Sequence, residues 1–259
     1  MLAVSAIAAC AAVWSNALAL EAGASGDSDL GGRQFKILSF DGKQTIGSTS
    51  FTVLRNDSTE EIKGETRYVD GERDSEDIRL HLTGAASTPT LDTYQHSFFN
   101  ADGSPLMLDT LDAKSGDASC TSYRQGAMKV RKSRLEVPAD TFAGASSLMM
   151  VGESLRRGIR QIKFHAFACV PGPEIFGVDT SAPDRPEHWP LYPGDLIRLD
   201  MRPDLGALNL LIAPFMPTMD AWFSPADNWN YVGGEFDRYF RGPHVLTVQV
   251  PPEYHAQQK

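Results

Sequence analysis

The chain carries none of the short signatures from which a reaction is usually read. No G-x-G-x-x-G turn, phosphate-binding loop, G-x-S-x-G elbow or H-E-x-x-H pair occurs in its 259 residues. Nucleotide cradling, serine hydrolysis from a strand–helix elbow and helical zinc chemistry therefore have no residues to work with. No cofactor is expected. Positive charge is also scarce, with 24 Lys and Arg against 33 Asp and Glu, a net charge of −9. A general nucleic-acid binder needs a basic surface, so nucleic acid is not an expected partner. Cysteine is scarcer still, with three in all. Their spacing offers no set of ligands at short separations, so no metal site is read.

What is present starts at the N-terminus. Residues 1–19, MLAVSAIAACAAVWSNALA, form an uncharged apolar run ending in Ala17-Leu18-Ala19. Small residues at these positions are what signal peptidase accepts, so residues 1–19 are read as a signal peptide and the protein as periplasmic or secreted. Ile7-Ala8-Ala9-Cys10 also resembles a lipoprotein box. A lipid anchor at Cys10 is the alternative, although the apolar run continues past it. The mature chain is expected to have no transmembrane span. In an oxidising compartment the remaining pair, Cys120 and Cys169, is expected to form a disulfide. Closing that loop stabilises by about 4 kcal/mol on the chain-entropy model.

The rest divides into a flexible Gly-rich lead-in at 20–32, a single β-rich domain at 33–252 and a tail at 253–259. FKILSF, STSFTVLR, EEIKGETRYV, EDIRLHLT, LDTYQHSFFN, LMLDTLD, DASCTSY and MKVRKSRLEV read as short strands. The turns between them, such as Asp41-Gly42, mark an antiparallel meander rather than βαβ units. Leu148, Val151 and Leu155 recur at helical spacing, which predicts one helix over 144–157. RQIKFHAFAC then resumes the sheet and HVLTVQV closes it. Between them the proline-rich SAPDRPEHWPLYPGD reads as a stiff extended connector. The fold class is mainly β, a β-rich α+β arrangement.

Few residues stand out as chemical. The histidines are scattered, and His96, His165 or His188 would serve general acid–base catalysis only if an Asp met it in the fold. Asp70, Glu72, Asp74, Glu76 and Asp77 lack the register of a calcium loop and read as a solvated acidic turn. Residues 129–163 hold eight basic and three acidic residues, a net of +5. Cations on both faces of a strand are what an edge strand uses against pairing with its own kind. Attraction of an anionic ligand, through Arg131 and Arg157 among others, is the second reading.

The most apolar stretch is LNLLIAPFMPTMDAWFSPADNW, 208–229. Asp204 is placed to cap a short helix, Pro214 to break it, and Pro217 to start another turn through Trp222. It is too interrupted to span a bilayer. Core packing is the first reading. A lid over a ligand cavity, led by Phe215, Met216, Met219, Trp222 and Phe223, is the second, because flexible Met and broad aromatics suit apolar ligands.

The export-like start, FDGKQTIGSTSFTV, VPADTFAG before the helix and CVPGPEIFGVD together resemble uncharacterised secreted bacterial β-rich domains of unknown function. That resemblance implies a curved antiparallel sheet or half barrel with one or two short helices packed on it. The shape is similar to periplasmic lipoprotein carriers. It carries over no active-site residue. Three functional readings follow. The first is a non-enzymatic cell-envelope binder or chaperone of an amphipathic, lipid-like ligand or of an envelope protein. The others are a periplasmic hydrolase or isomerase using a His/Asp pair, and a structural envelope component.

Overall fold

The structure, a computed structural model, describes residues 30–82, 89–124, 127–169, 172–204, 219–238 and 242–250. The first eight strands follow the predicted meander. β1 (Gln34–Ser39), β2 (Thr45–Arg55), β3 (Thr59–Tyr68) and β4 (Arg73–His81) pair antiparallel in sequence order. So do β5 (Thr90–Phe99), β6 (Pro105–Asp112), β7 (Asp117–Arg124) and β8 (Ala127–Arg134). Asp41-Gly42 makes its turn because Gly42 takes φ 71°, a value an L side chain resists. The turn closes when Gly42 N–H donates to the Ser39 carbonyl at 2.7 Å.

The chain then leaves the meander. A two-residue strand β9 (Thr141–Phe142) leads into α1 (Ala145–Arg156). β10 (Gln161–Cys169) and β11 (Pro173–Ser181) form a hairpin, followed by the short β12 (Glu187–His188) and by β13 (Asp195–Asp204). β14 (Met219–Ser224), β15 (Asn230–Asp237) and β16 (His244–Gln249) complete the strands among the described residues. β16 pairs with β1, so one sheet runs β8-β7-β6-β5-β4-β3-β2-β1-β16-β15-β14-β13-β11-β10-β9. All its pairings are antiparallel except β9 with β10. It is a curved, unclosed half barrel.

α1 lies against the inner face. Val151 and Leu155 are fully buried there with Ile62, Ile78, Leu80 and Leu111 from the meander and Phe164 from β10. Burying each such side chain stabilises by about 1.5–3 kcal/mol before conformational entropy is set against it. Among the described residues α1 is the one α-helix, and none is long and apolar enough to cross a membrane.

The two ends of the sheet meet. Phe167 on β10 lies edge-on to Tyr94 on β5, with ring centroids 5.8 Å apart. Cys120 on β7 and Cys169 on β10 form a disulfide, Cα to Cα 5.8 Å. The predicted bridge therefore fastens strands from opposite ends of the path, where no backbone ladder joins them.

Two expectations need correction. Met219–Ser224 is a strand rather than a turn continuing through Trp222. Its alternation places Ala221 and Phe223 in the main core and Trp222 on the outer face. The proline-rich connector is a strap folded onto that outer face. Trp189 stacks on Trp222 at 5.3 Å with planes 5° apart, and Leu196, Val232 and Val248 complete a second small core. Gly233 permits this approach, since a Cβ there would lie 2.6 Å from the Trp189 ring. The expected short helix after Asp204 lies outside the described residues.

Candidate functional site

Strand register gathers the polar residues that looked scattered in sequence. Glu76 lies opposite His96, His96 opposite Asp109, Asp109 opposite Cys120, and Cys120 opposite Arg131. Side chains directly across a ladder share a face. That face is the inner one, because Ile78 and Leu111, two residues from Glu76 and Asp109, belong to the main core. A polar row thus crosses β4 to β8 on the concave side.

Glu76 is the docking point of α1. Its carboxylate accepts from the backbone N–H of Ala145 at 3.1 Å and from the Tyr94 hydroxyl at 3.4 Å. The helix has no side-chain cap of its own, because its N-cap is Gly144 at φ 50°. A carboxylate 69 residues away in sequence takes that role. Gly144 is needed for the approach, since a Cβ there would fall 1.7 Å from Glu76 Oε1. The crowding of protein atoms around Glu76 raises its pKa above the usual carboxylate range.

His96 Nε2 lies 2.9 Å from Asp74 Oδ2, both half-buried. Burial alone would lower His96, but Asp74, with Glu76 and Asp109 behind it, pushes it up to about 9. Asp109 is 7% exposed, and its Oδ1 has no hydrogen-bond partner among the described residues. Burial pushes its carboxyl up to about 6, although His96 draws it down. A carboxylate oxygen of Asp109 and the sulfurs of Cys120 and Cys169 all lie within 4.8 Å of one another. The sulfurs are bonded to each other, so they are not thiolate ligands. The cluster can hold protons, hold a cationic imidazole at neutral pH and seat the helix.

The acidic turn is therefore not simply solvated. Asp70 and Glu72 both pair with Arg238, whose guanidinium lies 3.7 Å over the Tyr68 ring. Asp74 and Glu76 serve His96 and α1, and of the five only Asp70 and Asp77 are exposed.

A second His–Asp pair forms at the end of the sheet. His165 Nδ1 lies 2.8 Å from Asp140 Oδ1, with side-chain exposures of 40% and 52%. His188 is exposed on β12. Histidine–carboxylate pairing was an expected possibility, but the particular partners Asp74 and Asp140 were not read from the sequence. For Asp74 the signal was there in the alternation of Asp74 and Glu76 against Tyr94 and His96.

Among the described residues, those expected to contact a ligand lie apart from one another. Phe223 is in the main core, Trp222 is under the strap, and Met219 is 43% exposed at the start of β14. Arg157, at the end of α1, pairs with Glu153 at 2.6 Å. Arg131 is exposed on β8, its side chain passing over Gly172. Phe215 and Met216 lie outside the described residues.

The basic band holds together better. Among the described residues β8 pairs with β7 alone, and all eight of its residues are exposed, which is the predicted edge strand.

Fold and site together define an open β half barrel clasped by a disulfide, with an acid–histidine cluster under its helix. No protein-family model matches the chain, and no curated protein matches it. Among solved structures the chain is similar to a beta-barrel-like protein of the domain of unknown function DUF1849 from Brucella abortus. The TM-score is 0.43 at 8% identity, over 84% of this chain and 95% of that one.

Proposed function

We propose that the protein is exported and acts as a non-enzymatic binder or chaperone of an amphipathic ligand or envelope partner. The observation that carries this reading is the rim of the half barrel. The sheet ends on a long strand, β8, that is exposed and cationic, and the Cys120–Cys169 bond holds the rim in place. A permanent disulfide between distant strands suits an oxidising compartment, in keeping with the export-like start. Native mass spectrometry of gently purified protein tests the reading. A copurified lipid or envelope protein is the expected result. A bare, defined oligomer would favour a structural component instead.

A second reading, a hydrolase or isomerase, draws on the His165–Asp140 pair. Asp140 fixes Nδ1, and a half-exposed His165 leaves Nε2 for proton transfer. His165→Ala separates the readings, because it removes an enzyme's base but leaves a binder's affinity unchanged.

A further inference from the structure

β8 is where the sheet stops. It pairs with β7 from Asp117–Arg134 to Arg124–Ala127, and its other edge is hydrogen-bonded to no strand among the described residues. The strand at the opposite end, β9, is two residues long and buried, so the long open rim is β8. An unpaired edge is a template for another strand, and proteins that keep one exposed commonly blunt it with charge. Lys129 and Arg131 share the inner face with Cys120, while Lys132 and Arg134 share the outer one. Two copies of this edge brought together would set cation against cation. The same charges that prevent self-pairing select a strand of the opposite sign.

Three features make the edge more than guarded. Four cations in eight residues stand out in a chain of net charge −9. Among the described residues Lys129, Arg131 and Lys132 have no ion pair; Arg134 donates to the Ser115 carbonyl at 3.1 Å. Beside them Met128 and Val130 are 63% and 41% exposed on the outer face, apolar surface that charge alone would not require.

We infer that the β8 edge binds an extended acidic segment of a partner protein by antiparallel strand addition. The register sets the chemistry of that segment. Read from its own N-terminus, an antiparallel strand meets Arg134, Ser133, Lys132, Arg131, Val130, Lys129 and Met128 in turn. Opposite charges and apolar pairs are favoured across a ladder. The segment therefore reads acid, polar, acid, acid, apolar, acid, apolar. This names the partner chemistry of the binding protein proposed above and rests on that reading.

The test uses the full, disulfide-bonded protein and a fluorescein-labelled peptide, Glu-Thr-Glu-Glu-Val-Glu-Val, followed by anisotropy. Saturable binding that weakens with salt is expected, with no binding of the same peptide carrying Lys for Glu. N-methylation of alternate peptide residues, in one of its two phases, should weaken binding by about tenfold or more, because it removes ladder hydrogen bonds while leaving every charge. The exposed pair Arg131→Glu/Lys132→Glu should weaken binding by about tenfold or more without changing the melting temperature. Three results would overturn the inference: no binding of the peptide, equal affinity for both N-methylated phases, or binding only to phosphatidylglycerol vesicles. If the peptide fails while native mass spectrometry still finds a copurified ligand, the binder reading stands and the β8 edge is not its surface.

Discussion

The carboxylate of Glu76, on β4, accepts a hydrogen bond at 3.1 Å from the backbone N–H of Ala145, the first residue of α1. A helix leaves its first N–H groups without partners, and an anion there also meets the positive end of its dipole. Glu76 thus fixes where the helix sits on the sheet.

Truncating Glu76 should therefore cost more than altering its charge. Glu76→Ala leaves the Ala145 N–H unpaired and is expected to lose about 1–3 kcal/mol. Glu76→Gln keeps an acceptor oxygen and removes a charge that burial disfavours, so its loss should be smaller. Gly144→Ala puts a Cβ on Oε1 at a left-handed φ and should destabilise by about 2 kcal/mol or more. Urea unfolding of the three variants checks the order. Equal losses for the Gln and Ala variants would mean that the helix docks without this bond.

Stability should fall in two steps as pH rises. Asp109 titrates near 3.8 in the unfolded chain and at about 6 in the fold. Between those values the native state binds more protons, so stability falls as pH rises from about 4 to 6. His96 titrates near 6.5 unfolded and at about 9 folded. Its contribution is complete below the first value and is lost as pH rises through the second. Groups facing the pair are Asp74, Glu76 and Tyr94 on the neighbouring strands and the disulfide. Asp109→Asn should flatten the lower step and His96→Gln the upper one, read from urea midpoints at pH 4, 6, 7.5 and 9.5 (conditions chosen roughly to bracket both windows). Stability that rises over either window would reject the assignment.

The meander was legible because its strands are buried on one face and wet on the other. Alternation in LDTYQHSFFN and the Asp-Gly turns mark β1 to β8, and Leu148, Val151 and Leu155 mark α1. β14 and β15 gave no such signal. Their burial runs almost unbroken, because the Trp189 strap covers the outer face while the core covers the inner one. Periodicity cannot separate such strands from buried helix, and the nearby prolines of 208–229 tipped the reading toward turns. The site was half legible. Histidines and acids were visible as residues, but the cross-strand register that joins Glu76, His96 and Asp109 exists only once the strands pair.

The strap can be tested at its stacked pair. Trp189 is 9% exposed and Trp222 8%, and each covers the other. Trp189→Ala should lose about 3–5 kcal/mol, as for other buried aromatic truncations, and shift the fluorescence of Trp222 to the red as water reaches it. Gly233→Ala should mimic the loss by steric displacement, because its Cβ would also lie 2.3 Å from the Thr247 carbonyl oxygen. A red shift without destabilisation would show that the strap covers the sheet without holding it.

The disulfide asks how an unclosed sheet keeps its ends together. Cys120 and Cys169 are 49 residues apart, and a bond closing a loop of that length restricts the unfolded chain by about 4 kcal/mol. The bond also clasps β7 to β10 beside Asp109, alongside side-chain contacts such as Phe167 on Tyr94. Cys120→Ser/Cys169→Ser should therefore lose about 4 kcal/mol in urea unfolding. Hydrogen exchange should rise first in β7, β8, β10 and β11, and least in β2 to β4 at the middle of the meander. Reduction of the wild type by a phosphine should reproduce both effects. A loss below about 1 kcal/mol, with no localised exchange, would show that packing around α1 alone holds the half barrel curled and that the bond follows the fold rather than fastening it.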